Sequence, residues 1–265
     1  MPVASPFDVM AQDYDRAFTH SPIGRYMRAA TWRRIDAAFC PGDRVLELNC
    51  GTGEDAVHLS RRGVRVLATD ASPQMVAATK AKLATADMVG DVQTEVLRIE
   101  DLSSLRSTLP FDGVLSNFGG LNCVSDFAAV GRDLAMLLRS GGRALLCLMG
   151  PAVPWEWAWF LARGEPRRAA RRLDPAGAAW HGLRIRYPSI RRLRRDFEPW
   201  FRCTRVSAIG ALVPPSFADE WARKHPRLLR TLDRCERRFE AVPPLPQLAD
   251  HYLIELERND APVER

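Results

Sequence analysis

Hydrophobic and polar positions follow two alternating periods over the first 150 residues. Short apolar runs predict buried strands at Arg44–Leu48, Val64–Thr69, Val92–Leu97, Gly113–Ser116 and Arg143–Met149. Helical spacing fills the intervals, over Ile23–Phe39, Glu54–Arg62, Ser72 to about Ala86, and Ser125 to the Ser140-Gly-Gly142 turn. Ser72 suits a helix cap, and Pro73 suits the first helical position, where a missing N–H costs nothing. Strands alternating with helices predict an α/β fold with a parallel sheet covered on both faces.

The pattern changes after Gly150. Short helices are expected over Pro154–Arg163 and Pro166–Leu173, and another from Ser189 to about Phe197. Arg205–Leu212 and His251–Glu257 read as late strands. Ser216–Arg238 reads as helical, interrupted at Pro226. The connections 151–188 and 213–249 are too long for plain loops, so they are expected to cover a substrate site. Residues 1–150 then form a ligand-binding core, and 151–265 supply the cap segments and two strands completing the same domain.

The chemistry concentrates in Arg44-Val-Leu-Glu-Leu-Asn-Cys-Gly-Thr-Gly-Glu-Asp55, followed by Val66-Leu-Ala-Thr-Asp70. Gly51 and Gly53 allow a sharp turn and close ligand approach. Asp70, at the end of the second strand, can accept hydrogen bonds from ribose hydroxyls. The spacing also fits a dinucleotide fingerprint, so the glycines alone leave two ligands open. Glu47 favours the other one. A carboxylate inside a buried strand needs a partner, and the ammonium of a methionine moiety would serve. Asn49 tolerates the left-handed backbone that the turn requires.

With these residues the chain resembles the class I S-adenosylmethionine-dependent methyltransferases, whose first motif is an acidic residue followed by alternate glycines. Here it reads Glu47-Leu-Asn49-Cys50-Gly51-Thr-Gly53, with Asn49 in place of the first glycine. Asp70-Ala71-Ser-Pro-Gln-Met75 resembles the second motif, Phe111–Phe118 the fourth strand, and Leu137–Leu146 the turn into the fifth. Phe7–Asp15 resembles the N-terminal segment that folds over the cofactor. The resemblance implies a Rossmann-like sheet, mostly parallel with the last strand antiparallel, helices on both faces and a helical cap. It implies S-adenosyl-L-methionine as cofactor and S-adenosyl-L-homocysteine as product.

The residues implied to bind that cofactor are Glu47, Asn49, Cys50, Gly51, Gly53, Asp70, Ala71 and Met75, with Tyr14 near the methionine end. Arg98 stands where the family has an aspartate, so adenine recognition is expected from the Ile99 backbone and Glu100. Asn117 and Phe118 are expected to line the methyl-transfer point. His181 and Tyr187, in the covering segment, are the candidate base or substrate contacts. His58 and His251 read as structural, and Trp155-Glu-Trp157-Ala-Trp159-Phe160 as core or as an aromatic substrate cap. A base is needed only for nucleophiles protonated at neutral pH.

Composition narrows the partners. Six scattered cysteines form no C-x-x-C pair, so neither zinc nor a disulfide framework is expected, and the thiols suit a cytoplasmic protein. No signal peptide reads at the N-terminus, and no run of about 18 apolar residues suggests a membrane span. The net charge is +6, yet residues 160–206 alone hold 13 arginines against four acidic residues. Arg163–Arg195 is therefore a solvated face, a contact for an anionic substrate or acidic partner, or a membrane-surface contact. Charge alone would also allow nucleic acid. Ser116-Asn-Phe-Gly119, however, differs from the Asn/Asp-Pro-Pro-aromatic motif of methyltransferases that act on base amines. The expected activity is methylation of oxygen or nitrogen in a small-molecule acceptor. The alternatives are an RNA or protein methyltransferase of the same fold, an NAD-dependent oxidoreductase, and a non-enzymatic cofactor-binding module. No oligomeric state is implied.

Overall fold

Neighbouring residues on each central strand serve opposite apolar layers, as the strand period of two requires. A computed structural model of the chain describes residues 6–105 and 110–260. The strands are β1 (Arg44–Leu48), β2 (Arg65–Asp70), β3 (Val92–Val96), β4 (Phe111–Ser116), β5 (Leu138–Met149), a small hairpin of β6 (Ala178–Trp180) and β7 (Leu183–Ile185), β8 (Phe201–Ile209) and β9 (His251–Arg258). Seven of them form one sheet in the order β3-β2-β1-β4-β5-β9-β8. β1 to β5 are mutually parallel, while β9 inserts antiparallel between β5 and β8.

The helices are α1 (Pro6–Met10), α2 (Pro22–Ala38), α3 (Glu54–Arg61), α4 (Pro73–Leu83), α5 (Phe127–Leu137), α6 (Pro154–Leu161), α7 (Pro166–Ala170), α8 (Ile190–Phe197), α9 (Asp219–Lys224) and α10 (Pro226–Phe239). Leu46, Val114, Leu146 and Ile254 share one layer with Phe127 and Leu134 of α5 and Leu193 and Phe197 of α8. Val45, Leu115, Leu145 and Leu253 share the other with Ile23 and Met27 of α2, Leu59 of α3 and Leu229 of α10. The α/β architecture, the Rossmann-like sheet and the antiparallel last strand expected from the sequence are all present.

Several boundaries differ, each for a local reason. Asp126 caps α5, not Ser125: its carboxylate accepts from Ala129 N at 2.9 Å. β5 starts at Leu138, which pairs with Phe111 before an irregularity, so Gly141 and Gly142 lie inside the strand's distorted start. β8 starts at Phe201, ahead of the predicted Arg205, because a register shift at Cys203/Arg205 lets pairing with β9 continue. The β6–β7 hairpin breaks the expected all-helical cap. His181 and Gly182 are its two turn residues, at φ 45° and 84°, and a two-residue hairpin loop favours positive φ at both positions.

Aromatic contacts join the segments 151–188 and 213–249. Trp159 and Phe160 of α6 lie 5.4 and 5.2 Å from Phe217, and Trp155 Nε1 donates to Leu212 O at 3.1 Å. Asn122 ties the first segment to the sheet, donating to both Arg186 O and Met149 O.

Candidate functional site

The turn after β1 requires three left-handed residues within five positions. Asn49, Gly51 and Gly53 have φ of 48°, 56° and 78°. Asn49 replaces a glycine there because its side chain is anchored. Its Oδ1 accepts from Ser116 Oγ at 2.6 Å, and its Nδ2 donates to Asn117 O at 2.7 Å. Gly120 makes room, since a Cβ there would fall 2.1 Å from Asn49 Cγ. A Cβ on Gly51 would meet nothing within 4 Å, whereas one on Gly53 would strike Thr79 at 2.6 Å. Gly53 is therefore fixed by packing, and Gly51 faces open space. Cys50 is buried beside Thr79, and burial, with Glu47 and Asp70 adding to it, raises its thiol well above the ordinary value.

Two carboxylates flank the turn. Glu47 is 2% exposed, and its Oε2 has no hydrogen-bond partner among the described residues. Burial, with Asp55 adding to it, raises its carboxyl well above the ordinary value. Asp70 accepts from Gly51 N at 2.9 Å and Ser72 N at 2.8 Å, so it braces the turn as well as facing it. Burial raises this carboxyl too, against those two backbone donors.

A third carboxylate, Asp55, organises the wall beyond Glu47. It accepts from Arg28 at 2.8 Å, Trp32 at 2.6 Å and Asn117 Nδ2 at 2.9 Å. Burial alone would raise its carboxyl, but Arg28, Trp32 and Asn117 outweigh it and hold it below the usual range. Sequence alone assigns no role to Arg28 or to Asp55 at the end of the motif. The available signal was a charged residue within the buried face of each helix. Asn117, expected to line the methyl-transfer point, donates Nδ2 to Thr31 and Asp55 and accepts from Phe118 N, which ties its side chain into the Asp55 wall.

The N-terminal segment closes on this turn. Thr52 donates to Asp15 at 2.6 Å, and Lys82 pairs with the other Asp15 oxygen at 2.8 Å. These contacts bring Tyr14 among Arg28, Asp55 and Asp70, and burial pushes its phenol up. Beyond β3, Ile99 opens a 3-10 turn and packs on the core, while Glu100 is exposed 3.6 Å from Arg98. Met75 is buried in α4 with its N–H capped by Ser72, and Ala71 is exposed.

The candidate acceptor contacts separate. Phe118 has φ 50° and makes edge contacts with Phe18 at 4.9 Å and His251 at 5.7 Å, while Arg28 lies over its ring at 5.1 Å. His181 sits exposed at the hairpin tip, outside the buried cluster. Tyr187 lies half-buried beneath Arg172 at 5.2 Å, and burial raises its phenol. His58 is bound to Asp36 at 2.7 Å and stacked on Trp32 at 4.0 Å.

The donor set fits the cofactor that the motifs imply. Oε2 of Glu47 is a buried, orphaned acceptor suited to an ammonium, and Gly51 in the turn that follows β1 faces open space. A family model described as a methyltransferase domain matches residues 45–142, the span from β1 into β5 that holds the turn, Glu47 and Asp70. A demethylmenaquinone methyltransferase of Mycobacterium marinum is 35% identical over 173 residues, covering 63% of this chain and 69% of that protein. The chain belongs to the class I S-adenosylmethionine-dependent methyltransferases. A second demethylmenaquinone methyltransferase, from Mycolicibacterium paratuberculosis, is 36% identical over 55% of this chain and 58% of its own length. The chain thus spans little more than half of several curated relatives. The cyclopropane synthase MmaA2 of Mycobacterium tuberculosis shares the fold, with a TM-score of 0.61 and 18% identity over 97% of this chain and 100% of that one. The methyltransferase family displaces the dinucleotide reading of the glycine turn, and the cofactor is S-adenosyl-L-methionine. No helix among the described residues is long and apolar enough to cross a membrane.

Proposed function

We propose that this methyltransferase acts on a small, planar aromatic acceptor whose nucleophile forms by loss of a proton from a hydroxyl or amine. The observation that carries the reading is the pairing of an orphaned Glu47 oxygen with an aromatic wall. Phe18, Phe118 and His251 form that wall at the end of β4, one strand away from the cofactor turn. The relatives named for demethylmenaquinone support an acceptor of the hydroquinone class. When bound, the cofactor supplies a methyl group activated by a sulfonium. In this reading Glu47 takes its ammonium, the backbone of Asn49, Cys50, Gly51 and Gly53 lets it approach, and Asp70 meets the ribose. Tyr14 closes the methionine end, while Ala71, Met75, Ile99 and Glu100 border the adenine. The segments 151–188 and 213–249 cap the methyl-transfer point and hold the acceptor in line, which alone supplies roughly 7–11 kcal/mol.

No nucleic acid partner belongs to this reading, and its location is cytoplasmic. The exposed arginines between Arg163 and Arg195 serve an anionic membrane surface, where a lipophilic acceptor would be met.

Calorimetry with S-adenosylhomocysteine tests the cofactor half. Glu47→Gln and Asp70→Asn should each weaken binding about tenfold or more, the loss of a hydrogen bond to a charged group. Undiminished affinity in a folded Glu47→Gln would overturn the assignment. Labelled methyl transfer to a panel of prenylated dihydroxynaphthalenes, catechols and aromatic amines tests the acceptor half. Turnover confined to a non-aromatic or macromolecular acceptor would refute it.

A further inference from the structure

His251 reads from sequence as a structural residue at a strand start, but of the five histidines it alone is buried. Because β9 runs antiparallel, its first residue lies at the sheet edge where β1, β4 and β5 end. His251 pairs there with Met149 of β5 and Ile209 of β8, and its ring meets the edge of Phe118. Its side chain is 10% exposed. Nδ1 is buried with no aligned hydrogen-bond partner, and the acceptor within reach is Asp250 Oδ2 at 3.2 Å.

Asp250 is in turn immobilised. Arg172 donates to its Oδ1 at 2.6 Å and to its backbone oxygen at 3.1 Å, and also to Glu156 at 2.8 Å. We propose that His251, oriented by Asp250 and through it by Arg172, is the general base that takes the acceptor's proton. This rests on the small-molecule reading above and deepens it.

The chemistry follows from the order of groups. A fixed carboxylate beside Nδ1 selects the tautomer with the proton on Nδ1, leaving the Nε2 lone pair as base, and then stabilises the imidazolium. The acceptor's O–H or N–H proton passes to Nε2 as the acceptor gains the methyl group. The electron pair of the cleaved carbon–sulfur bond stays on sulfur, so one positive charge is lost at the sulfonium and one is gained at the imidazole. The rival bases are weaker. His181 is exposed at the hairpin tip, and burial keeps the phenols of Tyr14 and Tyr187 protonated. Arg28 also lies across the Phe118 ring, and burial, with Asp55 and Asp250 adding to it, pushes the Cys147 thiol on β5 up to about 12.

Two readouts test the proposal. Long-range proton–nitrogen NMR of the wild-type protein, with the resonance assigned by its loss in His251→Asn, should show a protonated Nδ1 and a bare Nε2. Asp250→Asn should erase that preference. On whichever acceptor of the panel turns over, His251→Asn should lower kcat by about 100-fold or more. Its S-adenosylhomocysteine affinity should stay within about threefold, which also shows that it is folded. A proton on Nε2 in the wild type, or kcat within threefold in the variant, overturns the proposal. If the wild type binds S-adenosylhomocysteine but methylates nothing on the panel, the acceptor reading fails. The tautomer then still decides whether Asp250 sets His251 up as a base.

Discussion

At the scale of single residues, Glu47 carries a conflict between stability and ligand binding. Its carboxylate is buried, one oxygen lacks a partner, and burial followed by Asp55 raises its acid form well above the ordinary value against the opposing Arg28. The sign follows from linkage. An unfolded glutamate ionises near pH 4.3, so folding stability falls as pH rises from there through the raised folded value. Glu47→Gln removes that loss. The ligand-free variant should therefore melt several degrees above the wild type at pH 7, for about 1–3 kcal/mol gained, and the gap should close near pH 4. Saturating S-adenosylhomocysteine should reverse the order at pH 7. Scanning calorimetry at the two pH values checks it, and a variant that melts lower at pH 7 without ligand would contradict the account. Glu47, Asn49 and Gly51 were legible because a charge inside a strand and a left-handed turn are local demands. Arg28, Asp55 and His251 were not, because their meaning lies in partners far along the chain.

At the scale of elements, the arginine-rich segment divides into a buried hub and an exposed skin. Arg172 is 6% exposed, yet it bonds Glu156, Asp250 and the backbone of Gly150. Arg171 pairs with the other oxygen of Glu156 at 2.8 Å. Together they staple the 3-10 turn Arg171–Leu173 to α6 and to the start of β9. A uniformly solvated face is therefore wrong for these two, because their carboxylate partners are buried. Arg172→Met should cost about 3–5 kcal/mol by stranding Glu156 and Asp250, while Arg167→Glu should change stability by less than about 0.5 kcal/mol. Urea unfolding of the two variants separates them, and equal midpoints would show that the hub is dispensable. Asp250 gives this staple a pH dependence. Arg172 and His251 outweigh burial and hold its carboxyl well below the usual range, so its contribution is full above about pH 4 and declines in stronger acid. The central strands and helices were readable because periodicity fixes them. The β6–β7 hairpin was not, since His181–Gly182 lacks the asparagine or aspartate that announces such a turn.

At the scale of the whole molecule, the basic surface belongs to two faces. α8 packs against α5 over one apolar layer and exposes Arg191, Arg192, Arg194 and Arg195. α10 packs over the other layer and exposes Arg227, Arg230, Arg234 and Arg238, while Asp233 and Glu236 on the same helix are buried. The sequence reading singled out only the first group, because acidic neighbours dilute the second in any linear count. The charge reversal suited to testing membrane contact must also leave the Glu156–Arg172 hub intact. Arg191→Glu with Arg194→Glu and Arg195→Glu meets that condition. The triple variant should bind S-adenosylhomocysteine within about threefold of the wild type, since exposed charges beyond a Debye length of ~8 Å are screened. If Arg163–Arg195 meets an anionic surface, the same variant should lose most of its cosedimentation with vesicles containing phosphatidylglycerol. The corresponding reversal of Arg227, Arg230 and Arg234 should then have a smaller effect, because those arginines lie over the opposite layer. Equal losses from both variants would mean attraction to net charge without a preferred face. A wild type that stays in the supernatant at physiological salt would return the arginines of α8 to the role of solvating an otherwise ordinary helix.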